Sequence, residues 1–159
     1  MEIAILAVGK LKAGPEPELC RKYLDRAAKA GRSLGFRGFA VTEMTEGRAP
    51  QAAERMRAEG EGIAASAKGA PLICLDDAGE PLSSEAFAAL LRQKADGGTP
   101  LLCFAIGGPD GLEPDLVAGA AGRLSLGRMT WPHGLARVLL AEQLYRAMTI
   151  LSGHPYHRA

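Results

Sequence analysis

Five short apolar runs separated by helix-like stretches constrain the fold of this chain more than anything else in it. The runs are EIAILAVG (residues 2–9), FRGFAVTEM (36–44), APLICLD (70–76), PLLCFAIGG (100–108) and the brief RLSLG (123–127). Runs such as PLLCFAIGG do not alternate apolar with polar, which is the pattern of a strand covered on both faces. Between them the chain reads as helix. Residues 15–31 carry Pro15 and Pro17 at the start and Gly31 past the expected end. Residues 51–68 are helical by composition despite Gly60 and Gly62, and residues 84–95 follow a capping Ser83. Residues 113–121 form a short helix and 135–151 a long closing one. This β-α alternation predicts an α/β fold, a mostly parallel sheet with helices on both faces.

At 159 residues the chain is expected to form one domain over 1–159, burying roughly two thirds of its unfolded surface. A hydrophobic content of 47% with charges of both signs excludes a disordered chain. The opening run lacks a basic flank and is far too short to span a bilayer, so a soluble cytoplasmic protein without a membrane partner is expected. Cys20, Cys74 and Cys103 form no C-x-x-C pair. They read as reduced core thiols, and no metal site is expected.

Charge is unevenly distributed. From Ala120 onward there are five arginines against Glu142 alone, a net +4, while the whole chain carries only +1. All three histidines lie there too, and the chain closes on HPYHRA, an ending no core requires. Such a terminus frays unless something holds it, so the tail reads as part of a site. The basic quarter points to RNA or a phosphorylated ligand.

In a parallel sheet, ligands bind at the carboxyl ends of the strands. Three of these ends stand out: Leu75-Asp76-Asp77-Ala78-Gly79, Gly107-Gly108-Pro109-Asp110-Gly111, and the run from Leu126 to His133. GGPDG fits an ordinary type I turn, with Pro second, Asp third and Gly fourth. Alternatively, Gly107 and Gly108 lack side chains so that a ligand can approach the backbone. The spacing is not the dinucleotide G-x-G-x-x-G, and no G-x-x-x-x-G-K-[ST] occurs.

The strings LDDAGEPLSSEAFA, FAIGGPDGL, SLGRMTWPH, LARVLLAEQLYRA and HPYHR, in this order, resemble the SPOUT-class ribosomal RNA methyltransferases that methylate pseudouridine at N3 in the large subunit. The resemblance extends from the AVGK strand end to the penultimate residue. It implies a C-terminal deep trefoil knot, S-adenosyl-L-methionine as cofactor, an obligate homodimer, and 23S rRNA within the assembled ribosome as substrate, at the helix 69 loop. Composition and periodicity point to no knot, since threaded chains are rare. By matching position, the family's cofactor contacts fall on Leu75, on Gly107 with Gly108 beside it, and on Leu126, Gly127, Arg128, Met129, Thr130 and Trp131.

The chemistry so implied moves a methyl group from a sulfonium to an imide nitrogen, which must lose its proton. Candidates for catalysis are Arg137, Glu142, Arg146, Tyr156, His157 and Arg158, with His133 and His154 as substrate contacts. Glu142 and Arg146 stand i, i+4 on the closing helix. They form either a surface pair worth about 0.3–0.5 kcal/mol or a unit in which Glu142 orients an arginine holding phosphate or a base edge, a role Arg137 would share. His157 is a base or an RNA contact, and the proton acceptor is not assigned. Leu140, Leu144, Ala147 and Leu151 make an apolar stripe that suits a core and a dimer interface equally. Two rival classes are an α/β enzyme using another nucleotide, which lacks a supporting motif, and a non-catalytic ribosome-binding factor that would not bind S-adenosylmethionine.

Overall fold

Ile3, Ile5 and Ala7 of β1 (Glu2–Val8) pack into one helical layer while Leu6 and Val8 pack into another, so the strand is buried on both faces. β4 (Leu101–Ile106) divides the same way, with Leu102, Phe104 and Ile106 on one side and Cys103 and Ala105 on the other. The chain is described over residues 1–158 by a computed structural model. Five strands pair in the order β2-β1-β4-β3-β5, all parallel, with β2 (Gly38–Met44), β3 (Leu72–Pro81) and β5 (Gly122–Ser125) completing the sheet. Helices α1 (Pro15–Gly31), α3 (Ser84–Asp96) and α5 (His133–Ser152) form the first layer. The second contains α2 (Ala52–Ala67) and the short α4 (Pro114–Ala118). Because crossover helices cover both faces, each strand can be apolar throughout.

The first layer holds the larger core. Phe104 is fully buried and meets Phe87 of α3 edge to face at 5.9 Å, so truncating it to alanine should cost about 3–5 kcal/mol. Leu140, Leu144 and Met148 of α5 are fully buried against α1, α3 and the sheet. The apolar stripe of the closing helix is therefore largely core. Cys20, Cys74 and Cys103 are free and buried, and burial together with Asp76 pushes the Cys74 thiol up to about 11.

Several boundaries depart from expectation for local reasons. Gly31 does not end α1 from outside; it is the last helical residue, and a β-carbon there would lie 2.9 Å from Met148 Sδ and from Phe36 Cβ. Phe36 lies outside β2, buried under that helix end with its amide donating to the Gly31 carbonyl. β3 runs past Asp76 to Pro81 because it breaks register on β5 and resumes, Leu75 and Glu80 both facing Leu124. Asp76 stabilises the break, accepting from the Ala78 amide at 2.9 Å and pairing with Arg123 at 3.1 Å. α4 is shorter than expected, ending at Ala118 as Gly119 caps it, and the Ala121 amide then joins the Leu72 carbonyl. α5 starts two residues early, at His133 directly after Pro132. Ser83 caps α3 as expected, its hydroxyl accepting from the Ala86 amide at 3.1 Å. Among the described residues no helix is long and apolar enough to cross a membrane.

Candidate active site

Since every strand runs parallel, the carboxyl ends share one edge, and a cavity of about 600 Å³ opens there. Its walls come from three strand ends: Leu75, Asp76 and Asp77 at the register break of β3; Ile106 to Leu112 after β4; and Leu126, Gly127, Met129, Thr130, Trp131 and Pro132 after β5. Val117 of α4 and His133 and Ala136 of α5 close it. Of the expected cofactor contacts, Leu75, Gly107, Gly108, Leu126, Gly127, Met129, Thr130 and Trp131 line this one cavity, while Arg128 is exposed and outside the lining. His133, expected to touch substrate, lines it too. No local signal marked Ile106, Leu112, Val117 and Ala136, which reach the cavity only through the tertiary fold.

The glycine-rich element is a turn, with the Gly111 amide donating to the Gly108 carbonyl at 3.0 Å. The packing around its first two glycines leaves little room for a side chain. A β-carbon on Gly107 would sit 2.7 Å from the carbonyl carbon of Gly111, and one on Gly108 would sit 3.0 Å from Val8 Cγ1. The turn folds back on itself and against β1. Asp110 within the turn is bound by Arg55, which holds its carboxyl below the usual range.

Arg137 lies elsewhere. Only 2% exposed, it pairs with Glu43 at the end of β2 and donates from Nη2 to the Gly9 carbonyl at 2.9 Å. Burial pulls the Glu43 carboxyl up, but the Leu11 amide and Arg137 outweigh it and leave it lowered. In this arrangement Arg137 ties α5 to the ends of β1 and β2 and does not line the strand-end cavity.

The remaining catalytic candidates gather at the other end of α5. Arg146 holds Glu142 through Nη2 at 2.6 Å and Nε at 3.1 Å, and the Tyr156 hydroxyl donates to the same carboxylate at 3.0 Å. The Tyr156 ring packs on Tyr145, centroids 4.6 Å apart, with the Arg146 guanidinium 4.9 Å from its centre. Burial and the Glu142 hydrogen bond push the Tyr156 hydroxyl well above its ordinary range, so it remains a donor at neutral pH. His157 sits between Arg146 Nη1, 3.3 Å from its Nδ1, and Glu85 Oε1, 2.6 Å from its Nε2. An arginine only donates, so Nδ1 accepts and Nε2 carries the proton toward Glu85. With both nitrogens engaged, His157 has no lone pair free for a substrate proton. The tail is thus docked rather than frayed. His154 is exposed and accepts from the Tyr156 amide, and Arg158 is exposed. Ala159 lies outside the described residues. Glu85 and Tyr145 were not foreseen as partners, since Glu85 lies 72 positions from His157. Among the described residues no cluster of His, Cys, Asp or Glu is placed to hold a metal.

Along α5, His133 and Arg146 are thirteen positions apart, about 20 Å at the helical rise. Ala136, the cavity-lining residue of α5 farthest along it, still stands ten positions or about 15 Å from Arg146, so in one chain the Arg146 guanidinium is anchored well along the helix from the cavity. Near the cavity end, Met129 is 75% exposed, Trp131 41% and Leu135 41%, an apolar patch beside the open mouth.

Comparison with known proteins places the chain in a family. The family model described as "Predicted SPOUT methyltransferase" matches residues 1–157. Ribosomal RNA large subunit methyltransferase H of Rhizobium meliloti (strain 1021) is 56% identical over 160 residues, covering 100% of both chains. The protein of the same name from Sinorhizobium fredii (strain NBRC 101917 / NGR234) is 53% identical over the same full coverage. Among solved structures, a probable methyltransferase from Bordetella pertussis Tohama I has a TM-score of 0.50 at 15% identity, covering 92% of this chain and 95% of that one, a likeness of fold alone. The full-length family match and the high identity over the whole chain establish that the protein belongs to the SPOUT methyltransferases, in the group of the large-subunit ribosomal RNA methyltransferases H.

Proposed function

We propose that this protein is a cytoplasmic homodimer that transfers a methyl group from S-adenosyl-L-methionine to N3 of a pseudouridine in the helix 69 loop of 23S rRNA, within assembled ribosomes. The observation that carries this reading is the placement of the two functional clusters. The strand-end cavity is large enough for a nucleoside-sized ligand and is partly apolar, through Leu75, Ile106, Leu126 and Met129, with backbone groups of the turn at its side. Arg146 of the RNA-directed cluster lies about 15–20 Å farther along the same helix than the cavity residues Ala136 and His133. A two-fold pairing of α5 helices in opposite directions would set one protomer's cavity beside its partner's tail, and the exposed Met129, Trp131 and Leu135 would become the buried centre of that contact. The convergence of the segment after β5 with the ends of β3 and β4 on one cavity also favours the threaded, knotted arrangement of the family.

S-adenosylmethionine would be held by Leu75, the Gly107–Gly111 turn and the Leu126–Trp131 run, and when bound it supplies an electrophilic methyl on sulfur. The chain's own residues then position the nucleophile. Arg146 is kept extended by Glu142 and presents its charge to phosphate or a base carbonyl, and His133, His154 and Arg158 add contacts to RNA. The Glu142 carboxylate already accepts from Arg146, Gln143 and Tyr156, so it acts as an anchor and not as the base. Excluding water and fixing the imide nitrogen in line with the methyl are the contributions this geometry supports. Incorporation of labelled methyl from S-adenosylmethionine into ribosomes of a strain lacking the modification tests the proposal, with the product mapped to the helix 69 loop. Label in another rRNA segment, or none, would overturn it.

A further inference from the structure

The turn that walls the cavity is gripped from outside by a residue that does not line it. Arg55, in the first turn of α2, donates Nε to Asp110 Oδ2 at 2.7 Å and Nη2 to Asp110 Oδ1 at 3.0 Å, a two-point fork. Its Nη1 donates to the carbonyls of Ala49 at 2.9 Å and Pro50 at 3.0 Å. One guanidinium therefore joins the cavity's turn to the loop between β2 and α2. That loop lies flat on the helix. A β-carbon on Gly47 would fall 2.8 Å from Arg55 Cα, and the Gly47 amide donates at 2.7 Å to Glu59, one helical turn beyond Arg55. The loop's earlier part reaches the opposite rim. Glu46 Oε1 and His133 Nε2 lie 3.1 and 3.5 Å from the point where a Gly9 β-carbon would stand, and His133 lines the cavity.

We propose that Arg55 is a positioning residue for the cofactor pocket: by fastening Asp110 to the β2–α2 loop, it holds the Gly107–Gly111 turn in the conformation that receives S-adenosylmethionine. The inference rests on reading the cavity as the cofactor site. The clamp is poorly suited to a role in global stability, because both side chains keep about a quarter of their surface exposed, 27% and 26%, and such pairs add little to folding. Its effect falls on the turn, which has no regular ladder of its own beyond the Gly108–Gly111 bridge. When only a fraction of molecules holds the competent turn, apparent affinity falls by that fraction while bound molecules react normally.

Arg55→Met, Asp110→Asn and the double variant separate the possibilities, using calorimetric titration with S-adenosylmethionine, thermal melting, and steady-state methylation of ribosomes. The clamp predicts that Arg55→Met weakens cofactor binding and raises its KM about tenfold, equivalent to about 1.4 kcal/mol. It also predicts kcat at saturating cofactor near the parent's and a double variant no weaker than either single one. Arg55→Lys should not rescue, because an ammonium cannot span the carboxylate and two carbonyls together. Parent-like affinity in Arg55→Met, or additive losses in the double variant, would overturn the clamp. Should Arg55→Met fold poorly, Arg55→Gln, which keeps a polar side chain but cannot form the two-point fork, carries the same test. A parent protein that binds no S-adenosylmethionine would instead overturn the cofactor reading itself, which the parent titration detects separately.

Discussion

If each methylation site combines one protomer's cavity with its partner's tail, two inactive variants should restore each other. Gly107→Val destroys the cavity side, because its β-carbon would lie 2.7 Å from the Gly111 carbonyl carbon and force the turn open. Arg146→Ala destroys the tail side, removing the group that holds Glu142 and packs on Tyr156 while leaving the cavity some 20 Å off untouched. Either homodimer should be nearly inactive. In a mixed dimer, the Arg146→Ala protomer keeps an intact cavity and the Gly107→Val protomer an intact tail, so one of the two composite sites is whole. Random pairing makes half the dimers mixed, and the expected rate is about a quarter of the parent's. Isolating mixed dimers with two affinity tags should raise it to about half. The assay is single-turnover methylation of ribosomes after co-expression. Mixed dimers no more active than the homodimers would mean that cavity and tail of one chain serve each other, refuting the argument from α5's length.

Gly107→Val alone should abolish measurable S-adenosylmethionine binding while the far-ultraviolet circular dichroism stays parental; unchanged affinity in a folded variant would remove the turn from the site. Tyr156→Phe, which deletes only the hydroxyl on Glu142, should lower stability by about 1 kcal/mol in chemical denaturation, and an unchanged midpoint would show the hydroxyl bond contributes nothing. A chain ending at Pro155 should retain cofactor binding and lose most methylation at every salt concentration, because the Tyr156 and Arg158 contacts go together; parent-like rates would make the tail dispensable. The Glu85 carboxyl is held down to about 2 by its own helix-terminal amide, the Ser83 hydroxyl and His157. Its folded pKa is thus depressed, so its hold on the tail is complete above the ordinary 4.5 and is lost as pH falls toward 2. NMR of the His157 ring should report its contact with Glu85 at neutral pH and the loss of that contact on acidification, and Glu85→Ala, which leaves Nε2 without this acceptor, should show the loss already at neutral pH.

The layered architecture was legible because its cause is local and repetitive. Unbroken apolar runs require cover on both faces, and cover on both faces requires crossover helices, so the α/β sheet follows from strands such as PLLCFAIGG without knowledge of any distant contact. Boundaries slipped where a long-range partner decided them. β3 continues beyond Asp76 only because Arg123, 47 positions on, stabilises the register break, and Phe36 leaves β2 because the end of α1 needs its ring as cover. The motif strings located most of the cavity wall, and of the two readings of GGPDG the turn is the one the fold displays, with Gly107 and Gly108 packed against the turn itself and against β1.

Arg137 and the tail show why residue type alone misleads at a site built from several elements. Both were candidates because arginines and histidines near a basic terminus suit RNA, and spacing along one helix cannot say which face meets the core. The fold divides them. Arg137 falls on the face toward β1 and β2, where the Glu43 carboxylate and the Gly9 carbonyl take its two Nη groups and its Nε stays buried without a partner. Arg146 falls on a half-exposed face, where Glu142 and the Tyr156 ring hold it without sealing it in. The tail, read from sequence as an ending that frays unless something holds it, is organised by one aromatic ring over Tyr145 and by donors to two carboxylates from different helices. Its order is thus paid for within its own protomer, before any partner or RNA arrives. An RNA loop reaching a composite site would then meet a preset Arg146 and not a flexible arm, and binding should carry a smaller ordering cost than a disordered basic terminus would impose.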